Sequence, residues 1–255
     1  MPSYFTNKTF KFQRALAKNN TREWFHAHKA DYEEHLRQPF LRLITDLQAP
    51  LATISTHFRA DPKPMGGSLF RIHRDTRYAN DKSPYKTWAG ARFYHERIKV
   101  AAATLQRHGV AVEAVAHGTL PSVTLAQTCT APSFYLHIAP GDSFLGGGLW
   151  HPEPAPQRRI RDFIIDNPES WKKAVRSPAF RRKYAMHGES LVRVPRGYPS
   201  DHELIDDLKR KNYVAMAVLD DATVIGPRLL KTVTDGLRGS APLVDYLCAA
   251  LDLEF

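Results

Sequence analysis

The hydrophobic period of this chain changes sharply at a proline- and glycine-rich connector, residues 61–67 (DPKPMGG). That change constrains the fold more than any other feature. Before it, apolar residues recur at helical spacing. Phe10, Phe12 and Leu16 form a first stripe, closed by the polar break Lys18-Asn19-Asn20. Asn20 and Glu23 stand at capping-box spacing, and Trp24, Phe25, His28 and Tyr32 follow along one helix, leaving Arg22 and Glu23 free to face a site. Pro39 suits the first turn of a further helix, whose buried face is Phe40, Leu43, Ile44, Leu47, Leu51 and Ile54. After the connector the period becomes two. In residues 69–75, Phe70 and Ile72 point one way, and Arg71, His73 and Asp75 point the other. Residues 86–94 read as a second strand, joined to the first by a turn-rich loop at 79–84.

A second informative stretch covers residues 133–150, SFYLHIAPGDSFLGGGLW. Phe134, Leu136 and Ile138 alternate with Tyr135 and His137, and Pro140-Gly141-Asp142 marks a turn. Gly146, Gly147 and Gly148 leave room for backbone or ligand to approach closely. With no Gly-Lys-Ser/Thr, this is not a phosphate loop. Between the two stretches, a helix is predicted at 98–105 and short strands at 110–115 and 120–125.

Beyond the linker HPEPAP (151–156), helices are predicted around Ile160 to Ile164, from Asn167-Pro168 and from Ser177-Pro178. A short strand is predicted at 191–194. Ser200 and Glu203 form a capping box for a helix at 204–210, and 213–219 is a buried strand. A helix is expected from Asp220 or Asp221 through Leu237, broken at Gly239-Ser240, with Pro242 opening a last helix to Leu251. Helices, then strands, then helices, without βαβ alternation, predict an α+β fold: a central antiparallel sheet with N-terminal helices and C-terminal helices packed on it. The chain reads as one domain, 1–255, with a helical part at about 1–60, a sheet core at about 68–150 and a second helical part at about 155–255.

Composition narrows the class. A hydrophobic content of 43% and an aromatic content of 11% fit a globular protein. No run of about 18 apolar residues occurs, so no membrane span is expected. The first residues lack the apolar region of a secretory signal. Cys129 and Cys248 fit no metal-ligand spacing and read as reduced thiols of a cytoplasmic protein. The net charge of +10 favours anionic partners.

Clustering of that charge locates a site. Residues 69–88 (LFRIHRDTRYANDKSPYKTW) hold Arg71, Arg74, Arg77, Lys82 and Lys86 against only Asp75 and Asp81, interleaved with Phe70, Ile72, Tyr78, Tyr85 and Trp88. Alternation places Phe70, Ile72, Leu136 and Ile138 on an apolar side. It places Arg71, His73, Tyr135 and His137 opposite, with Arg92 joining from the strand between. An arginine fork matches phosphate or carboxylate. Lys82, Tyr85 and Lys86 lie on the adjacent loop, where they can close over a ligand; Gly147 and Gly148 would let it approach. His73 and His137 titrate near neutrality and are the candidate acid–base groups. Asp75 is expected to orient Arg74 or Arg77. The neighbouring arginines would repel a metal ion, and no metal-ligand spacing is present.

The expected partner is a small phosphorylated or carboxylated ligand, ahead of nucleic acid. The nucleic-acid alternative would use the basic segments at 71–86, 158–161, 172–182 and 209–211 with exposed aromatics for stacking. These residues specify neither a cofactor nor an oligomeric state.

The segments NNTREWF, FRIHRDTRY, DKSPYKTW, YLHIAPGDSFLGGGLWHPEP and DHELIDDLKRKNY, in that order, resemble the family called domain of unknown function 2461 over nearly the whole chain. Its recurrent pattern is matched by Trp24, Phe25, Arg71, Arg74, Asp75, Lys82, Ser83, Pro84, Tyr85, Lys86, Pro140, Gly141, Gly147, Gly148 and Pro152. The chain departs from it at Asp142, where Glu is frequent, and in a longer Ala/Val-rich link at 96–131. The resemblance carries no activity; it singles out the same cationic segment.

Overall fold

The structure is a computed structural model that describes residues 3–77, 79–98 and 130–255. Tyr78, Cys129, the strands predicted at 110–115 and 120–125 and all but the first residue of the helix predicted at 98–105 lie outside those residues.

The first helix, α1 (Asn7–Lys18), is capped by Thr6, whose side chain accepts from Lys8 N at 3.2 Å, and it buries Phe10, Phe12 and Leu16. The next, α2 (Arg22–Ala27), starts at Thr21 rather than Asn20: Thr21 Oγ1 accepts from Trp24 N at 3.2 Å. The Asn20 carboxamide is engaged with Tyr85 and is not available as a cap. A short α3 (Lys29–Tyr32) and a π turn (Glu33–Arg37) lead into α4 (Gln38–Ala52), with Pro39 in its first turn. Phe40, Leu43, Ile44, Leu47 and Leu51 are buried, each stabilising by about 1.5–3 kcal/mol relative to exposure.

Six strands form one antiparallel sheet in the order β1-β2-β3-β4-β6-β5. They are β1 (Phe58–Arg59), β2 (Ala89–His95), β3 (Ser133–Ile138), β4 (Ser143–Leu149), β5 (Ala185–His187) and β6 (Tyr213–Leu219). Ala91, Phe93, Phe134, Leu136, Ile138 and Leu145 are buried without residual exposure. On the other face, register aligns Gly90, His137, Phe144 and Val218 in one row, and Arg92, Tyr135, Gly146 and Met216 in the next.

Residues 69–75 depart from the predicted strand. They make only two isolated bridges, Leu69 to Ala91 and His73 to Tyr85. Two backbone bonds lay its start along the outer edge of β2, Phe70 N to Gly90 O and Arg92 N to Ser68 O, and two more tie it to the loop before that strand, Lys86 N to Ile72 O and Arg74 N to Pro84 O, all 2.8–2.9 Å. No strand forms at 191–194; a single bridge, Ser190 to Arg210, stands just before it, and the edge strand lies at Ala185–His187 instead. Three residues are too few to show a period; pairing with Val214, Ala215 and Met216 makes them a strand.

The C-terminal helices are α5 (Pro154–Asp166), α6 (Pro168–Arg176), α7 (Pro178–Lys183), α8 (Ile205–Leu208), α9 (Asp221–Ile225) and α10 (Leu229–Ala250). The predicted capping box at Ser200 and Glu203 is not formed: α8 begins later, and Glu203 Oε2 pairs with Lys172 Nζ at 2.7 Å. Asp220 does cap a helix, accepting from Thr223 N at 2.6 Å, but α9 ends at Ile225. The break predicted at Gly239-Ser240 does not occur, and α10 runs unbroken through Pro242. Its glycines are packing positions. A Cβ at Gly236 would stand 2.5 Å from Leu145 Cδ1, and one at Gly239 would stand 2.5 Å from Tyr184 Oη. Among the described residues, no helix is long and apolar enough to cross a membrane.

Candidate functional site

The cationic segment is fastened to the N-terminal helices at Tyr85. Asn20 Nδ2 donates to Tyr85 O at 2.9 Å, and Tyr85 N donates to Asn20 Oδ1 at 3.1 Å. The buried Tyr85 ring stacks on Phe25 with centroids 4.1 Å apart. This anchor fixes Lys86, the next residue.

The loop that precedes Tyr85 neutralises itself. Asp75 takes Arg77 in a bidentate pair, Nε to Oδ1 at 3.0 Å and Nη2 to Oδ2 at 2.7 Å. Asp81 pairs with Arg74 and accepts from Ser83 N at 2.9 Å and Ser83 Oγ at 2.6 Å. Lys82 Nζ donates to Thr76 O at 3.0 Å. The hydrogen bonds from Arg77 hold the Asp75 carboxyl down at about 2. Those from Ser83 and Arg74 hold Asp81 lower still. Arg74, Arg77 and Lys82 are therefore committed to loop shape.

Three cations are not committed in this way. Arg22 and Arg71 are exposed and Lys86 is half-buried. Among the described residues, no carboxylate lies within ion-pair distance of any of them. Lys86 Nζ donates to Arg71 O at 2.7 Å and stands 5.7 Å and 5.4 Å from the centroids of Phe70 and Trp88. His73 lies against Tyr85, with ring centroids 5.1 Å apart, and against Phe25 at 6.5 Å. Its pKa is pushed down by desolvation first, then by the charges of Arg71, Lys86 and Arg22. Desolvation and Arg71 lower Lys86 to about 8. Arg71, Lys86 and Arg22 thus act on His73, and Arg71 acts on Lys86, while the charges of Arg71 and Arg22 also reach Asp75 and Glu23 without forming an ion pair.

A second group sits on the sheet face. His137 Nδ1 is 3.1 Å from Tyr135 Oη, and the imidazole stacks on Phe144 at 4.6 Å and leans on Trp88 at 4.8 Å. Burial pushes His137 down and Tyr135 well above the usual phenol range. Gly90 makes the approach possible, since a Cβ there would stand 2.5 Å from Tyr135 Oη. Arg92 faces Tyr135 across the strands. Its Nη2 donates to Ala131 O at 3.4 Å, its Nε is shut from solvent without a partner, and burial lowers its pKa.

The expected single polar face is in fact two groups. Phe70 does not share a side with Leu136 and Ile138. Its ring lies 5.9 Å from Tyr135 and 6.3 Å from Trp88. Because residues 69–75 only touch the sheet at isolated bridges, strand alternation does not carry into them. Phe70 and Trp88 thus contact Lys86 on one side and the Tyr135–His137 pair on the other. Gly147 is not brought to either group: on the opposite face, its missing Cβ would stand 2.7 Å from Val244 Cγ2. Gly148 is pressed against β6, where a Cβ would stand 2.0 Å from Tyr213 O.

Sequence reasoning did not anticipate the aromatic link through Phe70 and Trp88, or the Asn20 anchor. The available signal for the link was that both aromatics flank the cationic run in sequence. Among the described residues, no group of three or more His, Cys, Asp or Glu side chains could hold a metal ion.

The family model described as "Conserved hypothetical protein (DUF2461)" matches residues 8–246, and the chain belongs to that family. No curated protein and no solved structure matches it.

Proposed function

We propose that this member of the family binds a small phosphorylated or carboxylated ligand at Arg71, Lys86 and His73, with Arg22 at the rim. One observation carries the reading: within one segment, Arg74 and Arg77 have carboxylate partners while Arg71 and Lys86 have none. Desolvation depresses His73 and Lys86 first, and an anion held there would offset the second cause, the neighbouring positive charge, so binding draws protons onto the site. We propose His73 at the cluster, and His137 with Tyr135 beyond Trp88, as the acid–base groups.

Six of the eleven cations in the basic segments at 158–161, 172–182 and 209–211, which would serve a nucleic acid, are occupied. Arg159 pairs with Asp252, and Lys172 pairs with Glu169 and Glu203. Arg176 and Arg210 share Asp207, Lys211 pairs with Glu189, and the buried Arg161 donates to Leu208 O at 2.7 Å. This favours a compact anion over a polyanion.

The test is a thermal-shift screen across inorganic phosphate, nucleotides, sugar phosphates and organic acids, repeated on Arg71→Ala. Stabilisation by at least one class, lost in Arg71→Ala while the unliganded melting temperature holds, is the expected result. A steep salt dependence with oligonucleotide binding unaffected by Arg71→Ala would replace this reading with the nucleic-acid one.

A further inference from the structure

Lys86 stands apart from the other cations of its segment. Lys82 ties a loop together and Arg74 and Arg77 are neutralised, whereas the Lys86 ammonium is held by one backbone carbonyl, Arg71 O, beside two aromatic rings. That carbonyl accepts equally well from a neutral amine, so the contact fixes the position of Nζ without requiring its charge. The guanidinium of Arg71 belongs to the residue that positions Nζ, and it is exposed and without a carboxylate partner.

We infer that Lys86 is a carbonyl-reactive lysine, which forms a Schiff base with an aldehyde or ketone whose carboxylate or phosphate is held by Arg71. The inference rests on the anion site proposed above and names its substrate class. The neutral Nζ attacks the carbonyl carbon: a C–N bond forms and the carbonyl π pair moves to oxygen. The carbinolamine then loses that oxygen as water, whose two hydrogens come from Nζ, leaving a C=N bond. One proton taken up from solvent makes the imine cationic, an electron sink next to Phe70 and Trp88.

Lysines activated for such chemistry are desolvated or placed beside another cation, and Lys86 is both. In the unliganded chain, with its pKa at about 8, roughly a tenth of Lys86 is the neutral nucleophile at pH 7, against roughly one part in three thousand for an ordinary lysine; a bound anion offsets the contribution of Arg71 but not the larger one from desolvation. Exposed lysines such as Lys8, Lys11 and Lys18 on α1 provide an internal reference in the same chain.

The experiment incubates the full chain with pyruvate or with dihydroxyacetone phosphate in the presence of cyanoborohydride, and maps the reduced adducts by peptide mass. The expected result is a dominant adduct at Lys86, absent in Lys86→Arg and reduced roughly tenfold or more in Arg71→Ala. Labelling at Lys86 no greater than at Lys8, Lys11 and Lys18 overturns the inference, and this reading on the unaltered chain does not depend on any variant folding. Thermal shift with inorganic phosphate and with lactate, which has no carbonyl to attack, runs in parallel. A shift without Lys86 labelling overturns the lysine chemistry and leaves the anion site standing. Neither shift nor labelling overturns both.

Discussion

The Asn20 carboxamide and the Tyr85 backbone exchange two hydrogen bonds, at 2.9 Å and 3.1 Å, as two residues of adjacent strands would. A side chain from the N-terminal helices therefore acts as one rung of a ladder, and the position of Lys86 depends on it. In Asn20→Ala, both Tyr85 groups lose their partner, at a cost of about 1–3 kcal/mol. Chemical denaturation should show that loss, and phosphate-induced stabilisation should fall with it. Asn20→Asp keeps only the acceptor and should be intermediate.

Lys86→Met removes a desolvated charge and leaves a flexible apolar side chain against Phe70 and Trp88. The unliganded variant should be more stable by about 1 kcal/mol, a rise of roughly 2–4 °C in melting temperature for a chain of this size. It should also lose its response to phosphate. A variant that melts lower than the parent and still responds to phosphate would contradict the assignment of Lys86 to the anion site.

Stability should fall with acid in a defined window. His73, His95 and His137 all titrate below their ordinary value of 6.5, each chiefly through desolvation. The unfolded chain therefore takes up protons on these imidazoles before the folded chain does. Stability is fully present above about 6.5 and is lost as pH falls through the folded values. Asp75, held at about 2, remains ionised across that range. Melting curves at about pH 7.5 and 5.5 should show the drop, and His137→Phe should make it shallower. Saturating phosphate should also flatten it, because a bound anion favours the protonated form of His73.

Gly147→Ala should destabilise by about 1–3 kcal/mol, because the new methyl group meets Val244 Cγ2 at 2.7 Å and Phe134 Cδ1 at 3.1 Å. Phosphate affinity in the folded fraction should be unchanged, since this glycine lies on the face away from Tyr135 and His137. Calorimetric titration of the variant separates the two effects. A selective loss of affinity would return Gly147 to the ligand site.

Legibility from sequence followed the locality of each signal. The helix α1, the buried face of α4 and the strand β3 announce themselves through their own periods, and β6 through its continuous apolar run. β1 and β5 do not, because two or three residues carry no period and become strands only through their partners. Gly239 and Pro242 read as punctuation within α10, yet Tyr184 and the sheet support the helix across them. At the site, the Asp75–Arg77 pair was readable because its members are two residues apart. The placement of Phe70 was not, because its contacts are set by bridges and by Tyr135, far along the chain.

Among the described residues, the sheet's two outermost strands are its shortest, β1 with two residues and β5 with three. The rest of β2's outer rim is partly covered by Ser68 and Phe70, which bond to Arg92 and Gly90. Along that rim, few amides and carbonyls are left in a row for a stranger's backbone to extend. The β2 border therefore guards this chain against strand-to-strand polymerisation, independently of the like-charge repulsion that its net charge supplies and that salt would screen away.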